Sequence, residues 1–160
     1  MPLDSHLFRK ALGQFATGVT VVTTRDGAGR PQGLTVSAFS SVSLEPPLVL
    51  VCVDRRSEVN PGLLASGLFG VSVLAEDQEP MSRRFAGSGD EKFSGLSLLA
   101  GESGVPLVPG ALVNIECRLA SAHPGGDHTI YVGEVLRLVV SPGRPLLYHG
   151  SSYRRLDPAP

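Results

Sequence analysis

The six residues LVLVCV, Leu48 to Val53, are apolar at every position and are fenced by Glu45-Pro46-Pro47 before them and Asp54-Arg55-Arg56-Ser57 after them. A stretch this short is no buried helix of ordinary length, and its valines favour extended chain. It reads as a strand covered on both faces. Such a strand needs further layers around it, and the chain offers several: VTVVTT (Val19 to Thr24), FGVSVLA (Phe69 to Ala75), ALVNIECRLA (Ala111 to Ala120), TIYVGEVLRLVV (Thr129 to Val140) and PLLYHG (Pro145 to Gly150). ALVNIECRLA alternates, with Leu112, Asn114, Glu116 and Arg118 on one side and Val113, Ile115, Cys117 and Leu119 on the other. GLTVSAFSSVSLEPP, Gly33 to Pro47, follows the turn RDGAGRPQ and is the expected return strand of a hairpin.

Helices are brief. Asp4 or Ser5 can cap one in which Leu7, Phe8, Ala11, Leu12 and Phe15 share a face opposite Arg9, Lys10 and Gln14, ending near Gly18. Asn60-Pro61 suits a helix start running through Leu64, and a polar helix is expected from about Gln78 to Phe85. GSGDEKFSG, Gly87 to Gly95, reads as a flexible connection, and the segment to Pro109 has no sustained period. Gly 19 and Pro 13 make a fifth of the 160 residues, which fits many turns between short strands. There is no internal repeat or linker-like shift, so residues 1–160 form one domain: mainly β, about seven antiparallel strands in a barrel or sandwich, with a few short helices and a tail, RRLDPAP, expected to fray.

Composition narrows the function. With 14 Lys+Arg against 15 Asp+Glu there is no electrostatic reason to expect a nucleic acid or an anionic membrane as partner. The first fifteen residues scatter charges among apolar ones, unlike a signal peptide or membrane anchor, so the expected location is cytoplasmic. Cys52 and Cys117 each sit in an apolar run and read as buried thiols rather than a disulfide. GSGDEK lacks P-loop spacing, no G-x-S-x-G elbow exists, and Cys117, His123 and His128 match no usual zinc pattern.

Three places depart from core-and-surface logic. GLTVSAFSSVSLEPP carries five small hydroxyls, Thr35, Ser37, Ser40, Ser41 and Ser43, more than a half-buried strand needs. VDRRS ends a fully apolar strand in two arginines and a serine, a set that suits a phosphate as well as it suits a solvated turn. GGDHTIYVGEV, Gly125 to Val135, holds an imidazole on a turn at the mouth of a strand; Asp127 beside it is too near in sequence to be assumed its orienting partner.

In this order the motifs FRKALGQFATGVTVVTT, GLTVSAFSSVSLEPPLVLVCVDRRS, RRFAGSGDEKF, GGDHTIYVGEV and PLLYHGSSY resemble the short-chain flavin reductases, the FMN-binding split-barrel reductase components of two-component flavin monooxygenases. The resemblance runs from about Phe8 to Tyr153. It implies an antiparallel Greek-key split barrel, a homodimer with the flavin site at the subunit interface, FMN (or FAD) as cofactor and NADH or NADPH as co-substrate. Reduced flavin would go to a separate monooxygenase or other acceptor. The resemblance also implies site residues: Thr35, Val36, Ser37, Ala38, Ser40 and Ser41 along the ring and ribityl chain, and Cys52, Val53, Asp54 and Ser57 toward the phosphate. Arg84 and Phe85 would close the flavin site, and His128 and Tyr148 would lie on the nicotinamide side, His128 as the residue facing the hydride donor. Hydride transfer is the cofactor's chemistry, so orientation is what the protein must supply. Other split-barrel flavoproteins, such as a non-turnover FMN carrier or an oxidase of pyridoxine phosphate, and a cofactor-free β-barrel module are the alternatives.

Overall fold

In the computed structural model, which describes residues 3–157, the chain runs α1 (Ser5–Leu12), β1 (Thr17–Gly18), β2 (Thr20–Arg25), β3 (Pro31–Val36), β4 (Phe39–Leu44), β5 (Pro47–Asp54) and α2 (Asn60–Ser66). It continues through β6 (Leu68–Val73), α3 (Glu79–Phe85), a 3-10 turn (Asp90–Phe93), β7 (Leu99–Ala100), β8 (Pro106–Leu107), β9 (Val113–Gly125), β10 (His128–Val140), β11 (Leu147–His149) and β12 (Ser152–Arg154). Of the tail RRLDPAP, Arg154 belongs to β12 and the last three residues lie outside the described range.

Seven strands make one sheet in the order β3-β2-β6-β9-β10-β5-β4, antiparallel at every step. Laid flat, six inter-strand steps would separate β3 from β4 by about 29 Å. Yet only Ser37 and Ala38 lie between the end of β3 and the start of β4, a link that spans about 11 Å at most. The sheet therefore curls until its two edge strands meet beside β5, where the Cys52 amide donates to the Ala38 carbonyl at 3.0 Å. This is the antiparallel split barrel that the sequence implies.

Inside the barrel sit Val22, Val49, Val51, Val53, Phe69, Ile115, Cys117 and Tyr131; a second cluster, with Val21, Leu74, Phe85, Val108 and Leu146, lies outside β2 under α3. LVLVCV is thus not covered on both faces; β6 is, buried from Phe69 to Ser72, and so is β2, buried from Thr20 to Thr24. Its threonines are tolerable there because Thr20 Oγ1 donates to Val36 O at 2.6 Å, Thr24 Oγ1 to Leu68 O at 2.7 Å and Thr23 Oγ1 to Pro106 O. In β5 the burial alternates: Val49, Val51 and Val53 are in the core, whereas Leu48, Leu50 and Cys52 are only half-covered, since nothing in a single chain packs fully on that outer face.

Asp4 caps α1 as expected, accepting from the His6 amide at 2.8 Å, but the helix stops at Leu12 rather than near Gly18, because Thr17 and Gly18 pair with Tyr148 and Leu147 as β1. The apolar face of α1 finds no core: Leu12 is 59% and Phe15 beyond it 77% exposed. α2 continues past Leu64 to Ser66, ending at Gly67 with the left-handed φ of 63° that glycine allows. The aperiodic stretch before Pro109 includes the small β7–β8 hairpin, held by the Glu116 carboxylate, which accepts from the amides of Glu102 and Ser103 and from the Ser103 hydroxyl. No helix among the described residues is long and apolar enough to cross a membrane.

Candidate functional site

Strand β5 ends at Asp54, where the chain turns into α2. The Ser57 amide donates to Asp54 O at 2.9 Å, and the Asp54 carboxylate takes the Arg56 guanidinium on both oxygens, Nε–Oδ1 3.1 Å and Nη2–Oδ2 2.8 Å, plus the Arg56 amide at 2.8 Å. These bonds hold the Asp54 carboxyl far below the usual carboxylate range, the Arg56 side chain contributing most and its amide next. Together they fix a cation and a hydroxyl at the mouth of a strand.

This turn forms one wall of a cleft of about 240 Å3. Arg56, Ser57, Glu58 and Val59 line it on that side; Leu34 and Thr35 come from β3, and Phe85, Gly87, Ser88 and Lys92 from the end of α3 and the segment after it. Whole ligands of drug size occupy about 300–1,000 Å3, so this cleft takes part of one. Lys92, the Arg56 guanidinium held by Asp54, two hydroxyls and a glycine backbone suit a phosphate monoester, with Glu58 the one opposing carboxylate of the lining. Phe85 is fully buried, edge-on to Phe93 with centroids 5.3 Å apart, and it lies so close to β3 that a Cβ on Gly33 would stand 3.0 Å from its ring. That contact is why the strand carries glycine there.

The hydroxyl-rich stretch divides its labour. Thr35 Oγ1 is spent on Ser82 O at 2.6 Å, tying β3 to α3, and Ser40 Oγ donates to Ser41 O at 2.9 Å. Val36 and Val53 face the core, so only their backbone is available to a ligand, whereas Ser37, Ala38, Ser40 and Ser41 are exposed and Cys52 and Asp54 half-exposed beside them. A ridge of small side chains thus runs outward from the cleft, open to a flat group that bulkier residues would block.

Arg84 does not line the cleft. Its guanidinium donates to Lys92 O at 2.7 Å and to Ser94 O, strapping the segment that carries Ser88 and Lys92 against α3. GSGDEKFSG, expected to be a mere flexible connection, is therefore a wall of the cleft, and Ser88 and Lys92 were missed. Their only signal in the sequence was the Arg-Phe pair just upstream, because what brings them in is where α3 ends.

His128, 74 residues from Asp54 in sequence, pairs with it in register across β5 and β10. Its Nδ1 lies 2.8 Å from Asp127 Oδ1, and the Asp127 carbonyl accepts from the Arg55 amide at 2.9 Å, so the neighbouring aspartate both orients the imidazole and ties its turn to VDRRS. The hydrogen bond from His128 lowers the Asp127 carboxyl in turn. With Nδ1 engaged, Nε2 is the nitrogen left to meet a ligand. Tyr148, in β11, pairs across the strand with Tyr153 at a centroid distance of 5.3 Å; the Tyr153 hydroxyl lies 2.8 Å from Ser82 Oγ in α3. Neither His128 nor Tyr148 is in the cleft lining, and the two stand on different sheets, His128 in β10 opposite Asp54 and Tyr148 in β11 opposite Thr17.

The model of the flavin reductase-like domain matches residues 12–157. The chain belongs to the flavin reductase-like family. An NADH-dependent flavin reductase of Rhodococcus is 45% identical over 154 residues, covering 95% of this chain and 86% of its own. The NADH:FAD oxidoreductase of Streptomyces globisporus superposes with a TM-score of 0.92 at 40% identity, over 99% of this chain and 96% of that one, and its form in complex with NAD and FAD fragments gives 0.91. The flavin reductase component of a bacterial two-component tryptophan halogenase gives 0.89 at 39% identity, over 98% of this chain and all of that one.

Proposed function

We propose that this flavin reductase takes a hydride from NADH or NADPH onto FMN or FAD and supplies the reduced flavin to a separate monooxygenase or other acceptor enzyme. The observation that carries the reading is the cleft with Arg56, Ser57, Ser88 and Lys92 at the end of β5, continued by the small-residue ridge and flanked by His128. A bound flavin would supply the hydride-accepting ring; the protein's part is placement. Arg56 and Lys92 neutralise the phosphate, and Ser57 and Ser88 donate to its oxygens. The backbone of Val36 to Ser41 and of Cys52 to Asp54 leaves one face of the ridge free for the ring, and Phe85 with the Arg84 strap closes the inner end. His128, turned outward by Asp127, and Tyr148 would meet the nicotinamide, and orienting it against the flavin ring is what would make the transfer effectively intramolecular. No general acid or base is needed.

A homodimer fits the half-covered outer face of β5, the bare apolar side of α1 and the exposed Leu138, Val139 and Val140 at the end of β10. These are surfaces that a second copy would cover. Two free cysteines fit a reducing, cytoplasmic setting. His128→Ala tests the site: KM for NADH should rise about ten-fold while KM for flavin moves less than about two-fold. Equal loss of both would remove the imidazole from the nicotinamide side.

A further inference from the structure

Behind the Asp54–Ser57 turn lies a side chain that commits its amide N–H donors to it. Asn60, the first residue of α2, donates from Nδ2 to Asp54 O at 2.8 Å and to Ser57 O at 3.0 Å, bridging both ends of the turn. Its Oδ1 accepts from the Tyr131 hydroxyl at 2.8 Å. Tyr131 stands near the start of β10, 1% exposed among the residues of the barrel core. The hydroxyl is thus a fixed post, and the amide is a link of set length from the core to the two carbonyls that shape the turn. A backbone turn at a strand end is among the easiest parts of a domain to deform, yet Arg56 and Ser57 must be held to fractions of an ångström to meet a tetrahedral anion.

We infer that Asn60 and Tyr131 are positioning residues for the flavin phosphate: they touch no ligand, but hold Arg56 and Ser57 in the anion-binding arrangement. The proposal rests on the reading that the Asp54–Ser57 turn receives that phosphate. Asn60 is the side chain the geometry requires. Alanine frees both carbonyls, and aspartate keeps the acceptor for Tyr131 while setting carboxylate oxygen against two carbonyl oxygens. Phenylalanine at 131 leaves the Asn60 carbonyl oxygen without its donor and the link without its anchor.

The effect should be specific to the phosphate, which a general loosening of the fold would not be. Fluorescence titration of FMN and of riboflavin compares the two ligands on Asn60→Ala, Asn60→Asp, Tyr131→Phe and Arg56→Ala, with kcat measured at saturating FMN. Losing two hydrogen bonds to the turn should weaken FMN about ten-fold in Asn60→Ala, and losing one about three-fold in Tyr131→Phe, with riboflavin and kcat changed less than about two-fold. Asn60→Asp should behave as alanine; an aspartate that keeps full FMN selectivity overturns the donor role. Arg56→Ala, which removes a cleft cation directly, should also cost FMN and spare riboflavin. If it does so while the Asn60 and Tyr131 variants weaken both flavins alike, the positioning role is overturned and the phosphate reading stands. If Arg56→Ala weakens both flavins alike, the phosphate reading falls and this proposal with it. Should Asn60→Ala fail to fold, Tyr131→Phe, which deletes one oxygen, decides on the same pair of ligands.

Discussion

Replacing Glu116 by glutamine probes the carboxylate that anchors the β7–β8 hairpin, with a magnitude and a pH dependence that follow from its contacts. The side chain is 6% exposed and its oxygens accept from the Glu102 amide at 3.0 Å, the Ser103 amide at 2.7 Å and the Ser103 hydroxyl. Burial by itself raises the carboxyl's affinity for a proton, and the bonds from Ser103 and Glu102, with the charge of Arg137, outweigh it, so the folded carboxyl titrates below its ordinary value of 4.5. Glutamine keeps one acceptor and turns an amine toward a backbone N–H. Hydrogen bonds to a charged group are worth about 1.5–3 kcal/mol each, so losing one and opposing another donor should cost about 3 kcal/mol at pH 7. In a chain of this size that lowers the melting temperature by about 6–12 °C. The folded pKa is depressed, so the stabilisation is fully present above the ordinary value of 4.5 and is lost as pH falls through the lower folded value. Urea denaturation of the wild type and Glu116→Gln at pH 7 and at successively lower pH should show the gap between them closing on acidification. A difference under about 1 kcal/mol at pH 7, or one unchanged by acid, refutes the reasoning.

Gly133 in β10 sits at a register shift against β9, where a Cβ would overlap the buried Phe69 ring and stand 2.9 Å from Cys117 Cβ. Gly133→Ala should therefore cost about 2–3 kcal/mol of unfolding free energy by denaturant titration. Arg84→Lys keeps the charge but cannot reach two carbonyls with a planar fork. It should raise KM for flavin and speed proteolytic nicking between residues 87 and 94, with the melting temperature little changed. A thiol reagent should modify Cys52 before Cys117 in flavin-free protein diluted to the single chain, since burial pushes the Cys117 thiol up to about 12 whereas Cys52 lies half-exposed on the outer face of β5; labelling in the reverse order would contradict the packing.

Alternation and turn residues placed β2, β5, β6, β9, β10 and β11 but ran β3 and β4 together as one return strand and left β1, β7, β8 and β12 unread, while Asp4, Pro61 and the stretch ending at Phe85 located the three helices. What local pattern did not carry is which layer covers which face. LVLVCV is apolar throughout because two surfaces want covering, but hydropathy does not say that one of them stays half bare in a single chain. VTVVTT reads simply as a β-branched strand, and nothing in it says that Thr20, Thr23 and Thr24 are buried where carbonyls of β3, β6 and the segment before Pro109 come within reach. The site was legible where residue types are unusual for their context, as in VDRRS, GGDH and the serine-rich stretch. It was illegible where tertiary placement alone confers the role. Lys92 and Ser88 look like solvated loop residues, Asn60 looks like a helix cap, and Asp127 looks too close to His128 to orient it. In each case the partner is set by a neighbouring element and not by spacing.

The register of β5 on β10 has a consequence for how this enzyme can change. His128 and Asp54 are opposite one another at the end of seven consecutive paired positions, down to Glu134 opposite Leu48. The spacing between imidazole and anion-binding turn is therefore inherited from the pleat and buffered by Val51, Val53 and Tyr131 in the core. Substitutions along the outer surface of the ladder can accumulate without moving the two groups apart. A one-residue deletion within Thr129 to Glu134 is another matter: it would turn His128 to the opposite face of the sheet and detach the Asp127 carbonyl from Arg55 in the same step. Length variation should thus be forbidden both in this half of β10 and at the Gly126-Asp127 turn that leads into it.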